Sequence, residues 1–232
     1  MNPVAASTRQ RLRAPRAAAV AGILFAVLFT MSMVLLELVL PEDLSGPNAA
    51  AWLQGNTALV SLALTLVPFA GIAFLWFMGV VRAHLGKLED QFFSSVLFGS
   101  GLLFLAMIFV TAAIAGGMVA GYAIAADTLI HSGVVTFGRA VIYTITNVYA
   151  VRMAGVFMIS LGTIWMQSRA MPRLFVFFTY ALALLLLVTI SLSMWLILVF
   201  PAWVFVISVF ILRMSLRGET AEAEELVGSS DT

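Results

Sequence analysis

The sequence predicts an all-α membrane protein, a bundle of six transmembrane helices with both termini in the cytoplasm. Composition is the first reason: of 232 residues, 62% are apolar and 10% are charged, against about 45–50% and about 25% in a soluble domain. The second reason is a mean hydropathy of +1.09, and the third is that the apolar residues form long blocks with basic residues between them. A soluble chain of this length could not bury so much apolar surface, so much of it must face lipid.

The first two apolar blocks are long enough to cross a bilayer, which takes about 20 apolar residues. The first runs from 17 to 40. It exceeds the apolar core of a signal peptide, about 7–15 residues, and lacks a small-residue cleavage pattern, so we expect a retained helix. The second runs from 56 to 81 and contains Pro68. Proline removes a backbone donor and crowds the preceding turn, which predicts a kink there.

The remaining apolar residues predict four more crossings. The third covers 93–122, and the fourth starts between Gly138 and Tyr143 and ends near Trp165. The block 173–213 is too long for one helix. We divide it into a fifth and a sixth helix with a tight turn between Ser191 and Pro201, because proline suits the first turn of a helix.

Basic residues orient the bundle, since cytoplasmic loops are enriched in Lys and Arg. Ten of the twelve basic residues fall on one side of the predicted crossings: Arg9, Arg11, Arg13, Arg16, Arg82, Lys87, Arg169, Arg173, Arg213 and Arg217. The chain then divides into a basic cytoplasmic tail (1–16), a transmembrane domain (17–214) and an acidic cytoplasmic tail (215–232). The composition of the acidic tail predicts disorder.

Several function classes find no support in the residues. The net charge of +1 and the lack of a basic face argue against a nucleic-acid partner. There is no cysteine, and the two histidines, His84 and His131, lie near predicted helix ends. We therefore expect no metal site and no cofactor. No nucleophile elbow, zinc motif or phosphate loop is visible, so the sequence favours a non-enzymatic role without deciding the matter.

The most informative polar residue is Arg152, which lies inside the fourth crossing. It is seventeen residues from Arg169, about 25 Å along a helix, and therefore in the outer third of a hydrocarbon core about 30 Å thick. Glu37 reaches a similar depth in the first crossing. A guanidinium in lipid is costly, so Arg152 must find a partner or water. Tyr149 points near it, whereas Asn147 points away.

Two interpretations of these residues remain open. In the first, Glu37 and Arg152 form a structural ion pair that holds the first helix against the fourth. In the second, Arg152, Tyr149 and Asn147 line an outward-facing pocket that binds an anionic or zwitterionic group.

Small residues recur at four-residue spacing in the third crossing, at Ala113, Gly117 and Gly121. The first crossing repeats the pattern at Ala18, Gly22 and Ala26. Small residues let helices approach closely, so each stripe predicts either a packing face within the chain or an interface with a second copy or another membrane protein.

Three stretches carry a resemblance to a known kind of protein: "FLWFMGVVRAHLGKLEDQFF", "GSGLLFLAMIF" and "LILVFPAWVFVISVFIL". They resemble a family of multi-pass bacterial inner-membrane proteins whose activity is not known. The resemblance covers most of the second, third and sixth crossings. It implies a helical bundle in the cytoplasmic membrane of a bacterium, and it implies no catalytic or binding residue.

Two functions are therefore expected from the sequence. The first is the binding or transport of a small solute or lipid through the outer pocket around Arg152. The alternative is a non-catalytic partner or assembly subunit of a membrane complex, held through the small-residue faces. In both, the lipid bilayer is the constant partner.

Overall fold

The protein, seen in a computed structural model, is built from helices. The structure describes the backbone of residues 3–39, 49–85, 91–131, 133–169, 171–189 and 194–228, and the side chains of 16–36, 58–82, 92–124, 133–169, 171–189 and 195–216. Every regular element within these ranges is helical, so the all-α prediction is confirmed. The elements are α1 (Pro3–Val39), α2 (Ala49–Leu85), α3 (Gln91–His131), α4 (Val134–Thr144), a π-helical segment (Ile145–Ala150), α5 (Val151–Ser168), α6 (Arg173–Val188), a 3₁₀ segment (Met194–Leu198) and α7 (Val199–Gly228).

Long apolar helices confirm a multi-pass membrane protein. Five stretches are long and apolar enough to cross a bilayer: Arg16–Leu36, Ala58–Arg82, Phe92–Ile124, Val134–Ser168 and Trp195–Leu216. The fourth is a continuous rod made of α4, the π segment and α5. The predicted fifth crossing corresponds to α6, which has 16 residues and is apolar but shorter.

Several boundaries differ from those predicted by hydropathy. α6 ends at Val188, before the expected turn between Ser191 and Pro201, whereas Pro201 lies in the first turn of α7, as predicted. α1 begins within the predicted N-terminal tail, and α7 continues to Gly228, within the predicted acidic tail. Hydropathy marks where a helix enters water, whereas helical hydrogen bonding can continue beyond that point. Disorder of the acidic tail stays a prediction.

Successive rods run in opposite directions. In each successive pair, an earlier residue of one helix meets a later residue of the next. Phe25 contacts Phe74 while Ser32 contacts Ala63, and Phe74 contacts Phe104 while Arg82 contacts Phe98. Likewise Thr111 contacts Thr146 while Met118 lies at Gly138, and Gly155 lies at Ala183 while Gly162 lies at Thr179. α6 and α7 are antiparallel, because Trp203 contacts Thr179 while Phe210, further along, contacts Phe175, further back. The described basic side chains Arg16, Arg82, Arg169, Arg173 and Arg213 therefore collect at one end of the bundle.

The centre of the bundle is filled with aromatic rings contributed by five helices. Phe74 of α2 is fully buried and lies 4.7–5.7 Å from the ring centroids of Phe25, Phe104, Phe157 and Phe200. Most of these contacts are tilted or edge-on, which is the geometry that aromatic rings prefer. No single helix supplies this core, so its formation requires the tertiary fold.

The helices differ strongly in how far they reach from the basic end. α6, with 16 residues, extends about 24 Å, whereas the rod Val134–Ser168, with 35 residues, extends about 52 Å. α5 and α6 pack side by side, so α4 and the facing half of α3 project beyond the end of α6. Their exposed side chains include Ile124 and Phe137, which are 86% and 72% accessible.

Candidate functional site

The π-helical segment is the main irregularity in the half of the bundle away from the basic end. The backbone N–H of Val151 donates to the carbonyl of Thr146, five residues back instead of four. Such π turns are rare and occur frequently at functional sites. Polar side chains donate to backbone carbonyls around it: Thr144 Oγ1 to Ala140 O (2.8 Å), Asn147 Nδ2 to Tyr143 O (3.3 Å) and Arg152 Nη1 to Val148 O (2.6 Å).

Asn147 belongs to the π segment and is only 4% exposed. Its Nδ2 donates to a carbonyl, which cannot donate in return, so the orientation of the amide is determined. Its Oδ1 is buried and has no hydrogen-bond donor within the described part of the chain. A buried acceptor without a donor costs about 1–3 kcal/mol. The neighbouring Thr146 is satisfied, since its hydroxyl lies 3.3 Å from that of Thr111.

Arg152 is half-buried on the first turn of α5. Its hydrogen bond to the Val148 carbonyl gives it a backbone partner inside its own helix, where the helical register changes. This contact explains in part how the apolar rod accommodates a guanidinium. Tyr149 is 53% exposed at the same level. The side chain of Glu37 lies outside the described residues, so its pairing with Arg152 stays a prediction.

A second irregular segment lies beside the first. α6 ends at Val188, about 22 Å from Arg173, and Arg152 is about 25 Å from Arg169. The 3₁₀ segment Met194–Leu198 packs against the π segment. Non-helical backbone at membrane depth occurs where it is enclosed by protein or lines a cavity. The structure thus brings two irregular segments together. We call the polar side chains on and beside the π segment the outer polar layer (Thr111, Thr146, Asn147, Tyr149 and Arg152).

The two small-residue stripes behave differently. In α1 a β-carbon at Gly22 would collide with Ser208 of α7 and Phe77 of α2, so this face is filled within the chain. In α3 a β-carbon at Gly117 would meet no atom within 4 Å. Ala113 is exposed and Gly121 is half-buried. Gly117 instead borders an apolar groove of about 270 Å³ between α3 and α4, together with Met118, Phe137 and Gly138.

Pro68 lies inside α2, as the sequence predicts. Together with Ala113 it borders a second apolar groove of about 300 Å³ between α2 and α3. A bend of α2 at Pro68 stays a prediction. Among the described side chains, no three of the types that bind metals come together.

Sequence reasoning did not anticipate the π segment or the orphan acceptor. Three polar residues within four positions, Thr144, Thr146 and Asn147, were the available signal, because polar side chains inside a transmembrane helix often satisfy displaced backbone groups. Comparison of the chain with protein families, with curated proteins and with solved structures finds no match. The resemblance to inner-membrane proteins therefore has no support beyond the stretches that suggested it.

Proposed function

We propose that this protein is a non-catalytic subunit of a membrane complex, with six crossings and both termini in the cytoplasm of a bacterium. Its docking surface is the face of α3 that carries Ala113, Gly117 and Gly121. The observation that carries the proposal is the open space at Gly117, in a helix where only 22% of an apolar 18-residue stretch within Phe92–Ile124 is buried. A glycine face in lipid is suited to the close approach of another helix.

The contrast with Gly22 supports this choice. The same four-residue spacing of small residues occurs in α1, where atoms of α2 and α7 fill the space beside the glycine. On α3 the space beside Gly117 is left open. The small-residue face of α1 is thus packed within the chain, whereas that of α3 is open at Gly117 and remains available to a partner.

The packed centre also favours an assembly role over solute passage. Phe25, Phe74, Phe104 and Phe157 are fully buried, and Phe200 is 1% exposed. Their rings come from five different helices and contact one another. A solute crossing through the middle of the bundle would have to displace this cluster.

The test is a purification in mild detergent with Gly117→Leu and a matched control. We expect the wild type to elute with a protein mass well above the 25.0 kDa of one chain, and Gly117→Leu to reduce it to one chain while preserving the melting temperature. Gly99→Leu on the same helix is the control, since nothing lies within 4 Å of its β-carbon position either, and it should keep the complex. A wild type that elutes as a single chain would refute the proposal.

A second candidate function is the binding or transport of a small solute or lipid at the outer polar layer. The observation that favours it is the orphan Oδ1 of Asn147 close to a half-buried arginine. Arg152→Gln should abolish the binding of an anionic ligand, while Arg82→Gln, an exposed arginine at the opposite end, should leave it unchanged. Thermal stability measured with inorganic phosphate as the probe would distinguish these variants.

A further inference from the structure

The buried Oδ1 of Asn147 points to the chemistry of a ligand. Each buried polar atom without a partner in a native protein calls for an explanation, and this one lies in a π turn, a geometry associated with functional sites. Its amide nitrogen is already engaged with the Tyr143 carbonyl at 3.3 Å. What the site lacks is therefore a donor, supplied by an ammonium or hydroxyl group, and an anion alone cannot supply it.

The π turn also changes the relation between Asn147 and Arg152. On a regular α-helix, residues five apart point in clearly different directions, because neighbours on one face are three or four apart. In the π segment the hydrogen bond spans five residues, as between Thr146 and Val151, so residues five apart come closer to one face. Asn147 and Arg152 are then about 7 Å apart along the axis.

We infer that the outer polar layer binds a zwitterion with a primary ammonium and an anionic group. The ammonium donates to Asn147 Oδ1, and the anionic group accepts from the guanidinium of Arg152. Only one hydrogen bond of that guanidinium, to Val148, is formed with described residues, and it has five N–H donors. This inference rests on the second candidate function and is independent of assembly through α3.

Phosphoethanolamine carries both groups, a primary ammonium and a phosphate, joined by a short flexible linker. A free solute and the headgroup of a phosphatidylethanolamine lipid carry this same chemistry. Because Oδ1 is enclosed in the present conformation, binding requires Asn147 to turn outward. A one-residue shift of the π turn along the helix would rotate it.

The experiment compares two probes that differ only in N–H donors. Protein in phosphatidylcholine nanodiscs is titrated with phosphoethanolamine and with phosphocholine, whose quaternary ammonium cannot donate. We expect phosphoethanolamine to raise the melting temperature. Its apparent Kd should be roughly tenfold to a hundredfold lower than that of phosphocholine, a difference that corresponds to one buried hydrogen bond. In a parallel arm, phosphatidylethanolamine replaces phosphatidylcholine in the nanodiscs. A rise in that arm alone assigns the site to the lipid headgroup.

Asn147→Leu and Arg152→Gln separate the two parts of the site. Asn147→Leu removes the orphan acceptor together with the hydrogen bond to the Tyr143 carbonyl, so it should keep the fold and lose the preference for phosphoethanolamine. Arg152→Gln should lose the binding of both probes and of inorganic phosphate. Equal binding of both probes by the wild type, abolished by Arg152→Gln, would overturn the zwitterion inference and retain an anion site. No response in either arm would overturn both.

Discussion

At the scale of single residues, most polar side chains inside the bundle donate to carbonyls of their own helix, and a few join two helices. Thr179 does both: its Oγ1 donates to the Phe175 carbonyl and accepts from Trp203 Nε1 at 3.0 Å. Thr179 is fully buried and Trp203 is 3% exposed. This bond links α6 to α7 at a depth where water cannot replace either partner.

We predict that Thr179→Val destabilises the protein by about 1 kcal/mol, because the indole N–H of Trp203 loses its acceptor inside the bundle. Trp203→Phe removes the donor together with packing surface, so the double variant should cost less than the sum of the single ones. Reversible unfolding in mixed micelles measures the four free energies. Strictly additive losses would show that the 3.0 Å contact contributes nothing to stability.

At the scale of elements, the distance between two helices is set by the smallest residues at their contact. α5 approaches α6 at Gly155, where a β-carbon would lie 3.1 Å from the backbone oxygen of Ala183 and 3.0 Å from Leu187. About two helical turns further along, at Gly162, the nearest atoms are side-chain atoms of Thr179 and Tyr180 at 3.4 Å, an ordinary contact. The same pair of helices is therefore tight at one glycine and relaxed at the other.

Gly155→Ala is expected to lower stability by about 1–3 kcal/mol, since the Ala183 backbone cannot move aside without separating the helices. Gly162→Ala is its control and should be neutral or slightly stabilising, because alanine favours a helix over glycine by up to about 1 kcal/mol. Melting temperatures of the two variants in the same detergent give the comparison. Equal losses would mean that the α5–α6 contact does not depend on Gly155.

At the scale of the whole molecule, the alternating directions of the rods place five of the seven described basic side chains at one end. An excess of basic residues at one end is the signal that orients membrane proteins. The number of crossings depends on the short α6, because its 16 residues reach about 24 Å, less than a hydrocarbon core of about 30 Å.

Reporters active only in the cytoplasm should accordingly give signal when fused at Met1 and at Thr232, and none when inserted at Ser45. The physical reason is that the six proposed crossings alternate in direction and return the chain to its starting side. Arg139 and Arg152 are the two basic residues away from the basic end, so changing both to Gln should leave this pattern unaltered. Opposite results at the two termini would mean that α6 does not complete a crossing.

Much of the fold could be predicted from the sequence by itself. The membrane class, the apolar blocks and the basic end follow from hydropathy and charge, which depend on residues close together in the chain. The positions of Pro68 inside α2 and of Arg152 within a long apolar rod could also be predicted, because they too depend only on the local sequence. The helix ends were predicted less well, as the early end of α6 at Val188 shows, because a break inside an apolar block leaves little trace in hydropathy.

The tertiary structure decided how these residues are used. Gly22 and Gly117 have the same small-residue spacing, yet one is covered by Ser208 and Phe77 and the other is open. The aromatic centre and the enclosure of Asn147 likewise depend on neighbours supplied by distant parts of the chain. A residue can be covered by neighbouring side chains, hydrogen-bonded or left without a partner. Which of these applies depends on the space around it, and only the packing of the helices determines that space.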